Sequence, residues 1–212
     1  MSGCEMKEYL LAIAQDLGEV AIDDFIEDGI WKDIPVLSTA VNLAKISTAL
    51  RERAFLRKLR KFLYEYEKLV INEKEKIKKK ILSYYDQELL GEEITKTIDD
   101  SENSKKASLL GKGLTILLED SVDTDFYLSL ANKISKCYYA DILHLKDFET
   151  ENSEYFACND KIPGISLDQL YFCGFLIETG YNAGNLSGTE PCGRRYQLNE
   201  YGVTVRSLLL NI

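Results

Sequence analysis

One histidine and five cysteines bound the chemistry open to this chain of 212 residues. His144 has Asp141 and Asp147 at helical spacing, the company a general base would keep. A single histidine on a helix face is ordinarily a solvated residue, and that is the reading adopted. Cys137 precedes His144 by seven residues, and on one continuous helix the two would share a face. They would then stand roughly 10 Å apart along the axis, too far for the hydrogen bond of a cysteine–histidine nucleophile. Cys4, Cys137, Cys158, Cys173 and Cys192 are scattered, with no C-x-x-C pair, so no zinc site is expected. They read as reduced thiols, with Cys137 and Cys173 in the core.

Asp120, Asp123 and Asp125 have part of the spacing of a calcium loop. They lack the glycine that such a loop needs at its sixth position, and helix capping is the better use for them. Gly111-Lys112-Gly113, with Ser108 and Thr115 nearby, has the composition of a phosphate loop. The full G-x-x-x-x-G-K-[ST] pattern and the preceding strand are missing. The expectation is therefore a non-enzymatic protein with no catalytic residue, no metal site and no cofactor.

Charge is more informative. The net charge is −9, and it is unevenly spread. Residues 1–34 hold nine acids and two bases, residues 51–80 hold twelve bases and five acids, and residues 81–212 hold 21 acids and 11 bases. A basic segment lies between two acidic ones. It serves either as an internal electrostatic strut against the chain's own acids or as a docking surface for an anionic partner. Arg53, Arg57, Arg60 and Lys61 are the candidate partner-binding residues on its basic face. The acidic surface as a whole argues against general nucleic-acid binding, which requires phosphate neutralisation by Lys and Arg.

These residues need helices to position them. Apolar residues recur at threes and fours, and three prolines are too few to punctuate a β-sandwich. Residues 5–28 read as a first helix ended by Gly29. Pro35 opens a long helix whose stripe includes Leu43, Phe55, Leu59, Phe62, Tyr66 and Leu69. A break is expected between Asn72 and Lys76, with Lys74, Lys76, Lys78, Lys79 and Lys80 in water. Leu89-Leu90-Gly91 reads as a stop, and residues 91–104 as a helix end and loop. A short helix carries Leu109 to Leu118, where Gly111 and Gly113 permit close helix packing. Asp123 or Thr124 caps a helix extending to Phe148.

A polar segment closed by Pro163-Gly164 marks a boundary. Ser166 then caps a helix through Leu176, the region from Gly180 to Gly193 is a loop, and residues 194–198 form a strand before a last helix. The organisation expected is 1–150 helical bundle, 151–165 linker and 166–212 C-terminal subdomain. The apolar run 34–44 is interrupted by Asn42, Lys45, Arg51 and Glu52, so a buried core helix is preferred to a membrane span. Met1-Ser2-Gly3-Cys4-Glu5 has neither the basic nor the apolar region of a signal peptide, so a cytoplasmic protein is expected.

Leu170-Tyr171-Phe172-Cys173-Gly174-Phe175-Leu176-Ile177, followed by Tyr196-Gln197-Leu198-Asn199-Glu200-Tyr201-Gly202, resembles the closing part of prokaryotic winged-helix domains. In that family a helix ends in a glycine-bearing apolar run, a β-wing follows, and a tyrosine–leucine–threonine–glycine turn opens the last helix. Asn199 stands where the family has threonine. The resemblance implies a small α/β appendage, with Arg194 and Arg195 in the wing as the residues able to touch phosphate. The matching helix offers Asp168, Gln169 and Glu178 among aromatics and no base, so packing or protein contact is the expected use. The rest of the chain resembles small bacterial helical proteins, some carried near phage-defence genes, through its apolar run, basic amphipathic helix and acidic bundle.

The fold expected is mainly α, a helical bundle around a long central amphipathic helix with a small winged-helix-like α/β appendage. The function expected is protein–protein contact, regulatory or defence-associated, with an acidic protein partner or a further copy of the chain. The alternatives are a nucleic-acid-associated regulator using the wing and the basic helix, and a membrane-active effector using residues 34–70.

Overall fold

The computed structural model describes residues 50–150, 153–156, 162–184 and 193–210, with side chains from residue 54 onward. These residues are mainly helical, with eight α-helices and one three-stranded antiparallel sheet. No helix among them is long and apolar enough to cross a membrane. The expected helix over 5–28, the apolar run 34–44 and the side chain of Arg53 lie outside the described residues.

Helix α1, Leu50–Glu67, buries Phe55, Leu59, Phe62, Leu63 and Tyr66, the stripe expected of a core helix. The break comes at 68–70 rather than at 72–76. Val70 is extended, and the Glu73 carboxylate reaches back to accept its N–H at 3.1 Å. That contact starts helix α2, Ile71–Leu82, inside the stretch that had lost hydrophobic phase. Asp86 then accepts from the Leu89 N–H and opens helix α3, Gln87–Asp100. The stop expected at 89–91 and the loop expected over 91–104 are therefore mostly helix. The apolar row of α3 is Leu90, Ile94 and Ile98, thinned by a buried Thr97 and flanked by acids.

Asn103 accepts from the N–H groups of Lys105 and Lys106 and caps helix α4, Ser104–Gly113. A 3-10 turn, Leu114–Leu118, follows. Helix α5, Thr124–Lys136, is capped by Asp123, as expected. It ends at Lys136, not Phe148, for an identifiable reason. A continuing helix would bond the Tyr139 N–H to the Ser135 carbonyl. The Lys106 ammonium takes the Ser135 carbonyl at 2.9 Å, and Glu102 takes the Tyr139 N–H at 3.2 Å. Cys137 is extended there, and a short helix α6, Tyr139–Leu143, and a 3-10 turn, His144–Asp147, come after it.

Strand β1, Tyr155–Phe156, falls within the expected linker and pairs antiparallel with β3, Gly193–Leu198. Strand β2, Leu176–Asn182, pairs with the other edge of β3, with a bulge between Glu178 and Gly180. Residues 180–182, expected as loop, belong to β2. Helix α7, Gly164–Phe172, begins two residues before Ser166. Ser166 is not its cap: its hydroxyl donates to the Asp141 carboxylate at 2.6 Å. The helix ends before Leu176 because Gly174 has φ +83 and the Phe175 N–H closes back on the Leu170 carbonyl at 2.9 Å. Helix α8, Glu200–Leu210, starts at Asn199, which accepts from the Gly202 N–H at 3.0 Å and donates to the Gly174 carbonyl at 2.9 Å. One buried cluster runs from Phe55 through Leu130 and Tyr196 to Leu209.

Candidate functional site

The tightest helix pairing in the fold joins α1 to α4. Gly111 makes it possible: a methyl at that position would overlap the Phe62 carbonyl oxygen and stand 3.0 Å from the Glu65 Cβ. Close axes bring two similar rows of side chains face to face. Lys61, Tyr64, Glu65 and Lys68 come from α1 and the turn after it, and Lys105, Ser108 and Lys112 come from α4. In both rows the lysines are seven residues apart, two helical turns, so four ammonium-bearing side chains frame one cleft. Its volume is about 370 Å³, and Ser104, Leu109, Tyr139 and Leu209 complete the lining.

The floor is organised by Glu65, a carboxylate only 9 % exposed. Ser108 donates to it at 2.5 Å and Lys68 at 2.9 Å. The Lys68 ammonium also sits 4.3 Å from the centre of the Tyr64 ring. Lys61, Lys105 and Lys112 have no acidic partner among the described residues. Burial raises the pKa of the Tyr139 phenol, keeping it neutral and able to donate. With Glu65 already committed to two donors, the lining holds no prepared nucleophile and base. What it presents is a concentration of positive charge on a chain whose net charge is −9.

The basic residues of 51–80 thus divide. Lys61 lines the cleft, and Arg57 is exposed one turn before it. Arg60 is half-buried, its Nε has no hydrogen-bond partner, and desolvation lowers its pKa. Other bases turn inward. Lys58 donates to the Ser101 carbonyl at 3.1 Å and also to that of Asp99, closing the end of α3. Lys76 takes the Leu118 carbonyl and lies 2.8 Å from Asp120, and Lys80 takes the carbonyls of Glu119 and Val122. Lys74 pairs with Glu67. The expectation that Lys74, Lys76 and Lys80 stand in water is corrected. They are half-buried: Lys76 and Lys80 are drawn to carbonyls at and just after the end of the 3-10 turn, and Lys74 to the Glu67 carboxylate. Lys79 is exposed, as expected.

The remaining candidates are dispersed. Arg195 pairs with Glu154 at 3.2 Å. Arg194 is exposed, and its pKa is raised by a hydrogen bond with the Tyr196 phenol and by Glu178. Both lie on β3, outside the α1–α4 cleft. His144 bonds the Asp147 carboxylate at 2.8 Å and is parted from Cys137 by the end of α5, so the shared helix face expected for that pair does not exist. Asp120, Asp123 and Asp125 go to Lys76, the Phe126 N–H and the Tyr84 hydroxyl respectively. Among the described residues no three His, Cys, Asp or Glu side chains converge as a metal site requires.

Sequence reasoning reached one edge of the cleft through Lys61, weighed Ser108 and Lys112 only as parts of a phosphate loop and set them aside, and missed Lys68 and Lys105. The usable signal was the repeated seven-residue lysine spacing in two separate helices. No protein family, curated sequence or solved structure matches this chain.

Proposed function

We propose that this protein acts by contact in the cytosol, holding an acidic segment of a partner protein in the α1–α4 cleft. The carrying observation is the frame formed by Lys61, Lys68, Lys105 and Lys112 around one concave site. Charge of this kind steers encounter and sets register, and its effect weakens as salt screens it. Arg57, exposed one turn before Lys61, extends the basic face along α1. The test is fluorescence anisotropy with a labelled glutamate-rich peptide. Lys105→Glu with Lys112→Glu should weaken binding by at least about tenfold, roughly 1.4 kcal/mol, and raised salt should weaken the unaltered protein similarly. Equal affinity for the variant and the unaltered chain sinks the proposal.

A second reading is supported by the order α7, β2, β3, α8 with β1 completing the sheet, an order in keeping with the winged-helix resemblance. A winged helix used as a nucleic-acid regulator would place α7 against the duplex. The residues it exposes include Ile165, Gln169 and Phe172, and of the wing arginines Arg195 is paired with Glu154 while Arg194 is exposed. These facts support protein contact for the appendage as well. A mobility shift on duplex DNA at low salt that disappears in an Arg194→Ala, Arg195→Ala variant would favour the nucleic-acid reading instead.

A further inference from the structure

The contacts that close α1 on α4 also set their register. Ser108 donates to Glu65 at 2.5 Å, and Gly111, three residues further along α4, lies against the carbonyl of Phe62, three residues earlier in α1. The two helices therefore run antiparallel. Lys61 stands four residues before Glu65 and Lys112 four after Ser108, so the same register sets them at one level. Lys68 stands three residues after Glu65 and Lys105 three before Ser108, which pairs them likewise. The Lys68 N–H still bonds the Tyr64 carbonyl at 3.3 Å, so Lys68 keeps helical spacing beyond the end of α1. All four lysines line the one cleft. They form two rungs, roughly 10 Å apart along the helix axes, with Glu65 and Ser108 midway between them.

Charge thus alternates along the cleft: positive, negative, positive. An anion at either rung meets two ammonium groups, whereas an anion at the centre meets the Glu65 carboxylate. Given that the cleft receives an acidic protein segment, as proposed above, we propose that this segment enters as a helix. Two of its carboxylates, seven residues apart, take one rung each, and an uncharged residue lies over Glu65. The spacing selects the helix. On a helix, residues seven apart share a face and stand two turns apart, the same period as the lysines. On an extended strand alternate residues face opposite ways, and same-face spacings are about 7 or 13 Å, so no pair fits both rungs. A third helix laid along a close helix pair is also an established way of docking a segment in a groove.

The rungs are unequal. Lys68 shares its ammonium with Glu65 at 2.9 Å and with the Tyr64 ring at 4.3 Å. Lys61 and Lys112 have no acidic partner among the described residues, so their rung is the stronger anchor. Glu65 sets the register from the middle: it is held by Ser108 and Lys68 and cannot turn away from the cleft without breaking both bonds.

The experiment uses the full chain and three labelled peptides, each held helical by a staple on the face away from its glutamates. The first has glutamates at i and i+7, the second at i and i+4, and the third at i, i+4 and i+7. The first should bind at least about tenfold more tightly than the second, which has the same charge. The third should bind more weakly than the first despite its extra charge, and Glu65→Gln should abolish that deficit. In the Lys61→Gln, Lys112→Gln variant the preference for the first peptide over the second should vanish. If the first two bind the unaltered chain equally and both are lost in the lysine variant, the helical register is overturned and the acidic-segment contact stands. If the third binds the unaltered chain more tightly than the first, Glu65 sets no register and the proposal fails. If none of the three binds and a glutamate-rich peptide does not bind either, both readings fail. The comparison of the first two peptides on the unaltered chain needs no variant, so it holds even where a variant folds poorly.

Discussion

Gly111 and Gly202 mark places where the backbone itself is the packing surface. Gly111 lies in α4 against the Phe62 carbonyl, and Gly202 lies in α8 against the Phe175 carbonyl. In each case an added methyl would overlap a backbone oxygen, which cannot swing aside as the end of a flexible side chain can. Gly202 is also the residue whose N–H bonds Asn199, while the Asn199 N–H bonds the Phe175 carbonyl at 3.1 Å. Alanine favours a helix by roughly 1 kcal/mol over glycine, so an exposed site would gain from Gly202→Ala. Here steric overlap dominates, and the substitution should cost about 1–3 kcal/mol. Urea denaturation of the variant checks this, and an unchanged or raised midpoint would show that α8 slides freely on the α7–β2 turn.

At the scale of elements, lysines from one element repeatedly finish another. Lys58 serves the end of α3, Lys80 the segment after the 3-10 turn, and Lys106 the end of α5. Helix C-termini leave carbonyls unpaired and carry a partial negative charge, so these contacts satisfy both deficits. This division also decided what could be read from sequence. The α1 stripe was legible because Phe55, Leu59, Phe62 and Tyr66 repeat cleanly, and Asp123 was legible as a cap because capping is local. Helix α3 was not, since Thr97 and four acids (Glu92, Glu93, Asp99 and Asp100) dilute the row of Leu90, Ile94 and Ile98. The end of α5 was not legible either, because its cause lies 29 residues upstream in Lys106. The far edge of the cleft was hidden for the same reason, as Lys105 and Lys112 reach Lys61 only through the Gly111 approach.

Lys106→Met tests the capping account. It keeps most of the buried volume, removes the donor to Ser135 and leaves Glu102 without the ammonium 3.6 Å away. A stability loss of about 1–3 kcal/mol is expected. Hydrogen exchange should quicken first at the Tyr139 amide, which Glu102 holds in register. If the variant is as stable as the unaltered protein, the end of α5 is set by something other than this ammonium.

Across the whole molecule, the C-terminal sheet and the helices before it are joined by more than chain continuity. Arg206 of α8 donates to the Phe148 carbonyl at 2.8 Å and to that of Glu149 at 2.9 Å. Tyr201 stacks on Phe126 with ring centres 4.6 Å apart, and the Lys133 ammonium lies 4.7 Å from the centre of the same tyrosine ring. Leu209 and Val205 belong to the same buried cluster as Leu59 and Leu130. Elements that share a core tend to open together, whereas elements joined only by a linker open at separate free energies. Native-state hydrogen exchange in rising urea should therefore bring the slowest amides of α1, α5, β3 and α8 onto one opening isotherm. Arg206→Met combined with Tyr201→Ala should split it, with β3 and α8 opening at lower urea while α1 and α5 hold. Two separate isotherms in the unaltered protein would mean that residues 166–212 behave as an independent unit, and that the contacts of Arg206 and Tyr201 contribute little to joining it to the bundle.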